Sequence, residues 1–143
     1  MKKYIGFEMV EAKPMSAFEY SEQSGMSVVG GEGYEITSPD GYISWQPKEE
    51  FEKTHMEVGD NNTIMETNVH DFVKDIKFSK WGKKTTIANA TLANGFIITE
   101  SSSCVDPANF NMDIGSGICR DAIYNRVWNH LGFLLQCAKY GIK

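Results

Sequence analysis

Apolar and polar positions along this chain follow two rhythms, a period of two and a period near 3.6, and turn residues mark where one gives way to the other. The opening stretch "KYIGFEMVEA" reads as a strand. In "PMSAFEYSEQSG", Ser16 and Glu19 form a capping box, Met15 and Tyr20 are placed as a hydrophobic staple, and Gly25 is the C-terminal stop of a short helix. "GYEITSPDGYISW" reads as a hairpin: Pro39 presets the first turn position, Asp40 tolerates the second, and Gly41 takes the positive φ. Pro47 is expected to open a second short helix, with Glu49 and Glu50 in its positive first turn and Phe51 on its apolar side.

"VGDNNT" at 58–63 has loop chemistry and no apolar periodicity, so the chain is expected to form one domain of two lobes, about 1–58 and 64–143. The second lobe starts with helical character around "TNVHDFVKDI" and turns to strand from about Lys77. Asn94-Gly95 is the strongest hairpin signal in the chain and joins "TTIANATL" to "FIITES". Alternation puts Ile87, Asn89 and Thr91 on one face of the first of these strands, and Ala88, Ala90 and Leu92 on the other. Asp106-Pro107 reads as a cap and a first-turn proline. A long helix follows from about residue 113 to 138, with an apolar stripe of Ile114, Ile118, Ala122, Val127, Leu131, Leu134 and Ala138. The fold class predicted is α+β: small antiparallel sheets built on two hairpins, packed with short helices and one long C-terminal helix.

Composition narrows the classes. At 143 residues, 41% hydrophobic and 23% charged, the chain has ordinary globular usage, and a fold of this size buries roughly 68–70% of its unfolded surface without needing a disulfide or a metal. Cys104, Cys119 and Cys137 are odd in number and lack C-x-x-C spacing, which reads as reduced, half-buried thiols. His55, His70 and His130 lack metal-site spacing, and no cofactor is implied. A net charge of −5 without a basic run argues against long nucleic acid, although a pocket can be locally basic inside an acidic protein. The apolar runs are shorter than a membrane span and "MKKYIGFEMVEAKP" is too polar for a signal peptide, so a soluble cytoplasmic protein is expected.

Several residues offer chemistry. Gly115 and Gly117 at the helix start either let backbone N–H groups approach an anion or let a neighbouring element pack closely. Arg120 is either a phosphate fork or one half of an ion pair with Asp121 or Glu100, and Arg126 lies on the border of the apolar stripe. Trp45 ends a strand and Trp81 stands at a hairpin mouth between Lys80, Lys83 and Lys84; each either plugs a core or stacks on a base. Trp128 reads as core or subunit contact. Asn89 in mid-strand needs a partner, either a base edge or a neighbouring strand. Ser101, Ser102 and Ser103 are polar enough to meet a phosphate or ribose, or simply to end a strand. No spacing sets a nucleophile beside a base, and neither a P-loop nor a G-x-S-x-G elbow is present.

"NGFIITESSSCVDPANFNMDIGSGICRDAIYNRVWNHLGFLLQ" resembles the C-terminal signature of a phage protein family named after gene product 49 of one enterobacterial phage and gene product 66 of another. "DGYISWQPKEEFE" resembles a block common to other small phage proteins. The two-lobe arrangement is also similar to the family of Thoeris anti-defence protein 1. That resemblance implies a non-enzymatic sponge, which binds cyclic ADP-ribose isomers made by bacterial TIR immune proteins. It implies a homo-oligomer, a dimer or trimer of dimers, with pockets between subunits, an aromatic ring on adenine, an asparagine nearby and arginines on the phosphates. Carried over by motif, Arg120 is the phosphate ligand, Trp81 the stacking ring and Asn89 the base reader, with Arg126 and Trp45 completing the candidate set. The chain departs from that pattern at Ser116, a position the resemblance implies is often basic, and at Met56, where it implies an arginine. A ligand with one pyrophosphate suffers less from this than a more highly charged cyclic oligonucleotide. A nucleotide-hydrolysing enzyme using Glu100 or Asp106 as base, and a phage accessory or structural protein without a small ligand, are the alternative readings.

Overall fold

The computed structural model describes residues 1–143 and belongs to the α+β class, with two three-stranded antiparallel sheets and a long C-terminal helix. The chain forms two compact units: Met1–Glu57 with Gln136–Lys143, and Val58–Leu135.

In the first unit the sheet order is β1 (Glu11–Pro14), β2 (Gly33–Thr37), β3 (Ile43–Pro47). The expected opening strand is shorter than its sequence pattern: residues 1–10 carry no regular structure, because β2 offers only five residues and β1 pairs with four of them, Glu11↔Thr37 to Pro14↔Tyr34. Helix α1 (Ala17–Ser24) forms as expected. Ser16 accepts from the Glu19 N–H, Gly25 ends the helix at φ +72°, and Met15 and Tyr20 are both buried. The β2–β3 turn closes through Gly41 at φ +88°, with the Tyr42 N–H donating to Asp40 Oδ1. Pro47 caps α2 (Lys48–Thr54) rather than occupying its first turn, and Phe51 points inward. The predicted loop at 58–63 is a tight turn with a Gly59↔Thr63 bridge and positive φ at Asn61 and Asn62.

In the second unit α3 (Glu66–Phe72) gives way to strand four residues earlier than the hydrophobic pattern suggested, since β4 (Val73–Trp81) starts at Val73 and not at Lys77. Its pairing with β5 (Thr85–Leu92) explains the difference: β5 is long enough to hold Val73 opposite Leu92, with a bulge before Asp75. Asn94-Gly95 turns β5 into β6 (Ile97–Ser103), with Gly95 at φ +87°. Asp106 caps a 3-10 turn at Pro107–Asn109, and α4 (Met112–Tyr140) then runs 29 residues.

The core lies between the sheet and α4. Ala88, Ala90, Leu92 and Ile98 from the strands meet Cys119, Ile123, Val127 and Leu131 from the helix. This corrects the expected stripe at its start and at Leu134, which is exposed. Ile114 and Ile118 are 63% and 53% exposed, and the buried line begins at Gly115 instead. A Cβ on Gly115 would collide with Thr86 Oγ1, so glycine lets the helix lie down on the strand and fixes its rotation. No helix is long and apolar enough to cross a membrane.

Candidate functional site

Strand pairing decides which residues share a side. Paired residues face the same way, so Lys77, Trp81, Asn89 and Thr99 lie on the sheet face turned away from α4, while Phe78, Lys80, Thr86 and Glu100 lie on the helix face. Trp81, at 71% exposure, is not a core plug in this chain. Asn89 is exposed as well, and its Oδ1 accepts from Thr99 Oγ1 across the strands at 2.7 Å. The amide oxygen thus finds its partner within the sheet, while the Nδ2 group stands on the exposed face.

Arg120 sits on the other side. Its guanidinium stands over the Phe78 ring with 5.2 Å between Cζ and the ring centroid, and it makes no ion pair. Glu100, one of the partners expected for it, instead pairs with Arg126 at 3.1 Å, and Arg126 also donates to the Thr99 carbonyl at 3.3 Å. The two arginines therefore differ in kind. Arg126 is consumed by its carboxylate, whereas Arg120 keeps its planar donor fork free above an aromatic ring.

The alternation of β4 places a second cation beside Arg120, one that sequence reading had only as a flank of Trp81. Lys80 follows Phe78 by two residues on the helix face, about 6.6 Å further along the strand at 3.3 Å per residue. Its ammonium lies 4.3 Å from the centroid of Phe110, in the segment that leads into α4. Two cations on two aromatic rings thus form a short ledge within an acidic protein, and Lys83 and Lys84 follow Lys80 in the turn to β5. The signal for Lys80 was present in sequence as the i, i+2 step from Phe78 within the strand expected from about Lys77, but only the cross-strand pairing shows that this face is the one α4 covers.

The glycines and serines at the helix start serve packing more than ligation. Gly115 abuts Thr86, and Asn111 Oδ1 accepts from the N–H groups of Asp113 and Ile114, so the helix N-terminus is capped by its own chain. A hollow of about 230 Å³ remains there, lined by Ser102, Ser103, Cys104, Asn109 and Asn111 among others. An apolar hollow of about 400 Å³ lies at the far end of the sheet, beside Phe72, Phe96, His130 and Phe133. Arg120 lines neither. No group of three or more His, Cys, Asp or Glu side chains is gathered to hold a metal ion. Asp106 is engaged as the cap of the 3-10 turn, accepting from the Ala108 N–H at 2.9 Å.

Trp45 belongs to the first unit. Its indole rests on the glycine backbone at Gly30 and Gly33, and Nε1 donates to the Met15 carbonyl at 2.7 Å. Trp128 is 38% exposed on α4.

No curated protein matches the chain, and no solved structure does. The segment that holds the ledge, α3, both hairpins of the second sheet and most of α4 carries the family signature. Residues 54–138, more than half of the chain, match the family described as Phage protein (N4 Gp49/phage Sf6 gene 66), and the protein belongs to that family.

Proposed function

We propose that this phage protein binds and sequesters a cyclic ADP-ribose-type signalling nucleotide without cleaving it. The observation that carries the reading is the free Arg120 fork over Phe78 with Lys80 one strand step away. A pyrophosphate presents two anionic centres, and the Arg120 guanidinium over Phe78 with an ammonium from the next residue along the same strand face suits it. Lys80 offers from the strand the second cation that Ser116 does not supply from the helix. Sequestering a signal at sub-micromolar concentration requires roughly 8–12 kcal/mol, which charge-assisted hydrogen bonds and one stacked base supply together.

The geometry adds a condition. Trp81 and Asn89 lie across the sheet from Arg120, so a small ligand on the ledge of one chain does not also reach them. The reading therefore takes the stacking ring from a second copy, in keeping with a homo-oligomer whose pockets lie between subunits.

The test is isothermal titration calorimetry with cyclic ADP-ribose isomers, followed by heat denaturation and mass analysis of the released ligand. Binding by the wild type, its loss in Arg120→Ala, and recovery of ligand at unchanged mass support a sponge. Altered mass points to an enzyme, and no heat with any isomer points to an accessory protein without a small ligand.

A further inference from the structure

The apolar hollow of about 400 Å³ at the far end of the second sheet takes no part in the ledge that carries Arg120. It is lined by rings and held in shape by backbone hydrogen bonds. Leu92 and Leu131, 2% and 0% exposed, form its floor. Phe72 and Phe96 stand beside that floor, and both are tied to the β5–β6 turn. The Ala93 N–H donates to the Phe72 carbonyl at 2.8 Å, and the Leu92 N–H donates to the Phe96 carbonyl at 2.8 Å. The Gly95 N–H closes the turn on the Leu92 carbonyl at 2.9 Å. Phe133, on α4, is 68% exposed and leaves the hollow open at its rim. The shape is therefore present before anything binds, and large apolar side chains wait uncovered around it.

The polar groups in the lining define what enters. His130 Nδ1 lies 2.6 Å from the Arg126 carbonyl, which only accepts, so Nδ1 carries a proton. The neutral imidazole then presents Nε2 as a lone-pair acceptor, on the ring edge turned away from the helix backbone. Asn94 Oδ1 already accepts from the Phe96 N–H at 3.0 Å, which leaves its Nδ2 group as a donor. Asn129, exposed on α4 next to His130, adds a second amide. Although 23% of the chain is charged, no Asp, Glu, Lys or Arg lines this hollow. An ionised ligand would lose hydration there and meet no counter-charge. An aliphatic chain would fill the space and leave the amides and the imidazole nitrogen unused. A flat ring system with one polar edge uses both the phenyl rings and the polar groups.

We infer that this hollow binds an uncharged, planar nitrogen heterocycle of about two or three fused rings. Phe72, Phe96 and Phe133 pack on its ring system, a ring N–H donates to His130 Nε2, and a ring carbonyl or nitrogen accepts from Asn94 or Asn129. The volume lies within the range of small-molecule pockets, and the polar groups are gathered in the same concave lining as the rings. A protein partner would instead need about 800 Å² of complementary surface from each side. The inference does not rest on the nucleotide reading, because neither Arg120 nor Lys80 lines the hollow.

The experiment is a nitrogen–proton NMR titration of the full chain with three probes. Carbostyril has two fused rings, no charge, and adjacent N–H and C=O groups; its N-methyl derivative lacks the donor, and quinaldate carries a carboxylate. The wild type is expected to bind carbostyril, with the amide signals of Phe96 and Leu131 moving. The N-methyl derivative is expected to bind about tenfold more weakly, and quinaldate not to bind. His130→Phe keeps a ring and removes the acceptor, so it is expected to bind both neutral probes alike, a change that a merely structural role for His130 would not produce. Phe133→Ala truncates an exposed ring without touching the floor and is expected to weaken both neutral probes by about tenfold. Absence of binding by the wild type overturns the inference, as does quinaldate binding as well as carbostyril, or His130→Phe keeping the full preference for the N–H form. A wild-type oligomer that ignores every probe and dissociates in Phe133→Ala overturns it too, by showing a second copy over the hollow.

Discussion

Gly115 of α4 rests directly on the Thr86 side chain, with no space for a methyl group between them. Gly117, two residues on, has nothing within 4 Å of where a Cβ would stand. The pair makes a controlled comparison on one helix. Alanine raises helix propensity at both positions by about 1 kcal/mol. Gly117→Ala is expected to keep that gain, stabilising the protein by about 0.4–1 kcal/mol. Gly115→Ala forces the helix off the strand and is expected to cost about 1–3 kcal/mol. Urea unfolding midpoints check both, and equal effects at the two sites would show that Thr86 does not set the helix position.

The same contact explains what could and could not be read from the sequence. Local signals held wherever neighbouring residues decide the structure: the Ser16 cap, Gly25 at positive φ, the Gly41 turn, the Asn94-Gly95 hairpin and the Asp106-Pro107 turn all formed. The helix stripe failed at its start because hydrophobicity pointed to Ile114 and Ile118, while the close approach to Thr86 selected the small residue between them. The start of β4 failed because pairing with β5 extended it into a segment whose own pattern reads as helix. The chemistry divided along the same line. Arg120, singled out from sequence as unusual, has no ion-pair partner, but Glu100 goes to Arg126, and Lys80 joins Arg120 only once strand alternation is placed in register.

Thiol reactivity is expected to separate the cysteines. Cys104 is partly exposed near the mouth of the smaller hollow, with its thiol 3.2 Å from the Asp106 carbonyl, whereas Cys119 is fully buried against the Thr86 carbonyl. Burial first, and the Glu100 charge second, push the Cys119 thiol above its ordinary range. Labelling with a maleimide near neutral pH is expected to modify Cys104 rapidly and Cys119 only on unfolding. The sign for stability follows. A raised folded-state value costs nothing below the unfolded thiol range and lowers stability progressively as pH rises through and above it. Cys119→Ala is therefore expected to lose less stability to alkaline pH than the wild type, and equal alkaline slopes would remove Cys119 from the account.

Arg120→Lys tests whether the fork or the charge matters on the ledge. Lysine keeps the positive charge and loses the bidentate donor plane. If Arg120 grips a pyrophosphate, the substitution is expected to weaken nucleotide binding by about tenfold, some 1.4 kcal/mol, with Arg120→Ala weaker still. Lys80→Ala is expected to weaken binding with a smaller slope of affinity against salt, since one charge contact has gone. Unchanged affinity in both Arg120→Lys and Lys80→Ala would move the ligand away from this ledge.

Trp45 and Gly33 supply the last test, in the first unit. An added Cβ at Gly33 would strike the Trp45 ring on one side and the Gln46 carbonyl on the other, so neither neighbour has room to yield. At Gly31 nothing lies within 4 Å. The indole also holds a hydrogen bond of 2.7 Å to the Met15 carbonyl, and moving the ring breaks it. Gly33→Ala is expected to destabilise by about 1–3 kcal/mol through overpacking, and Gly31→Ala to stay close to wild type. With Trp81 and Trp128 replaced by phenylalanine, Trp45 alone reports, and its emission is expected to shift to the red in Gly33→Ala as the ring leaves its seat. A Trp45 whose emission and stability ignored Gly33 would not be packed on that backbone, and its flat face would again be free for a ligand.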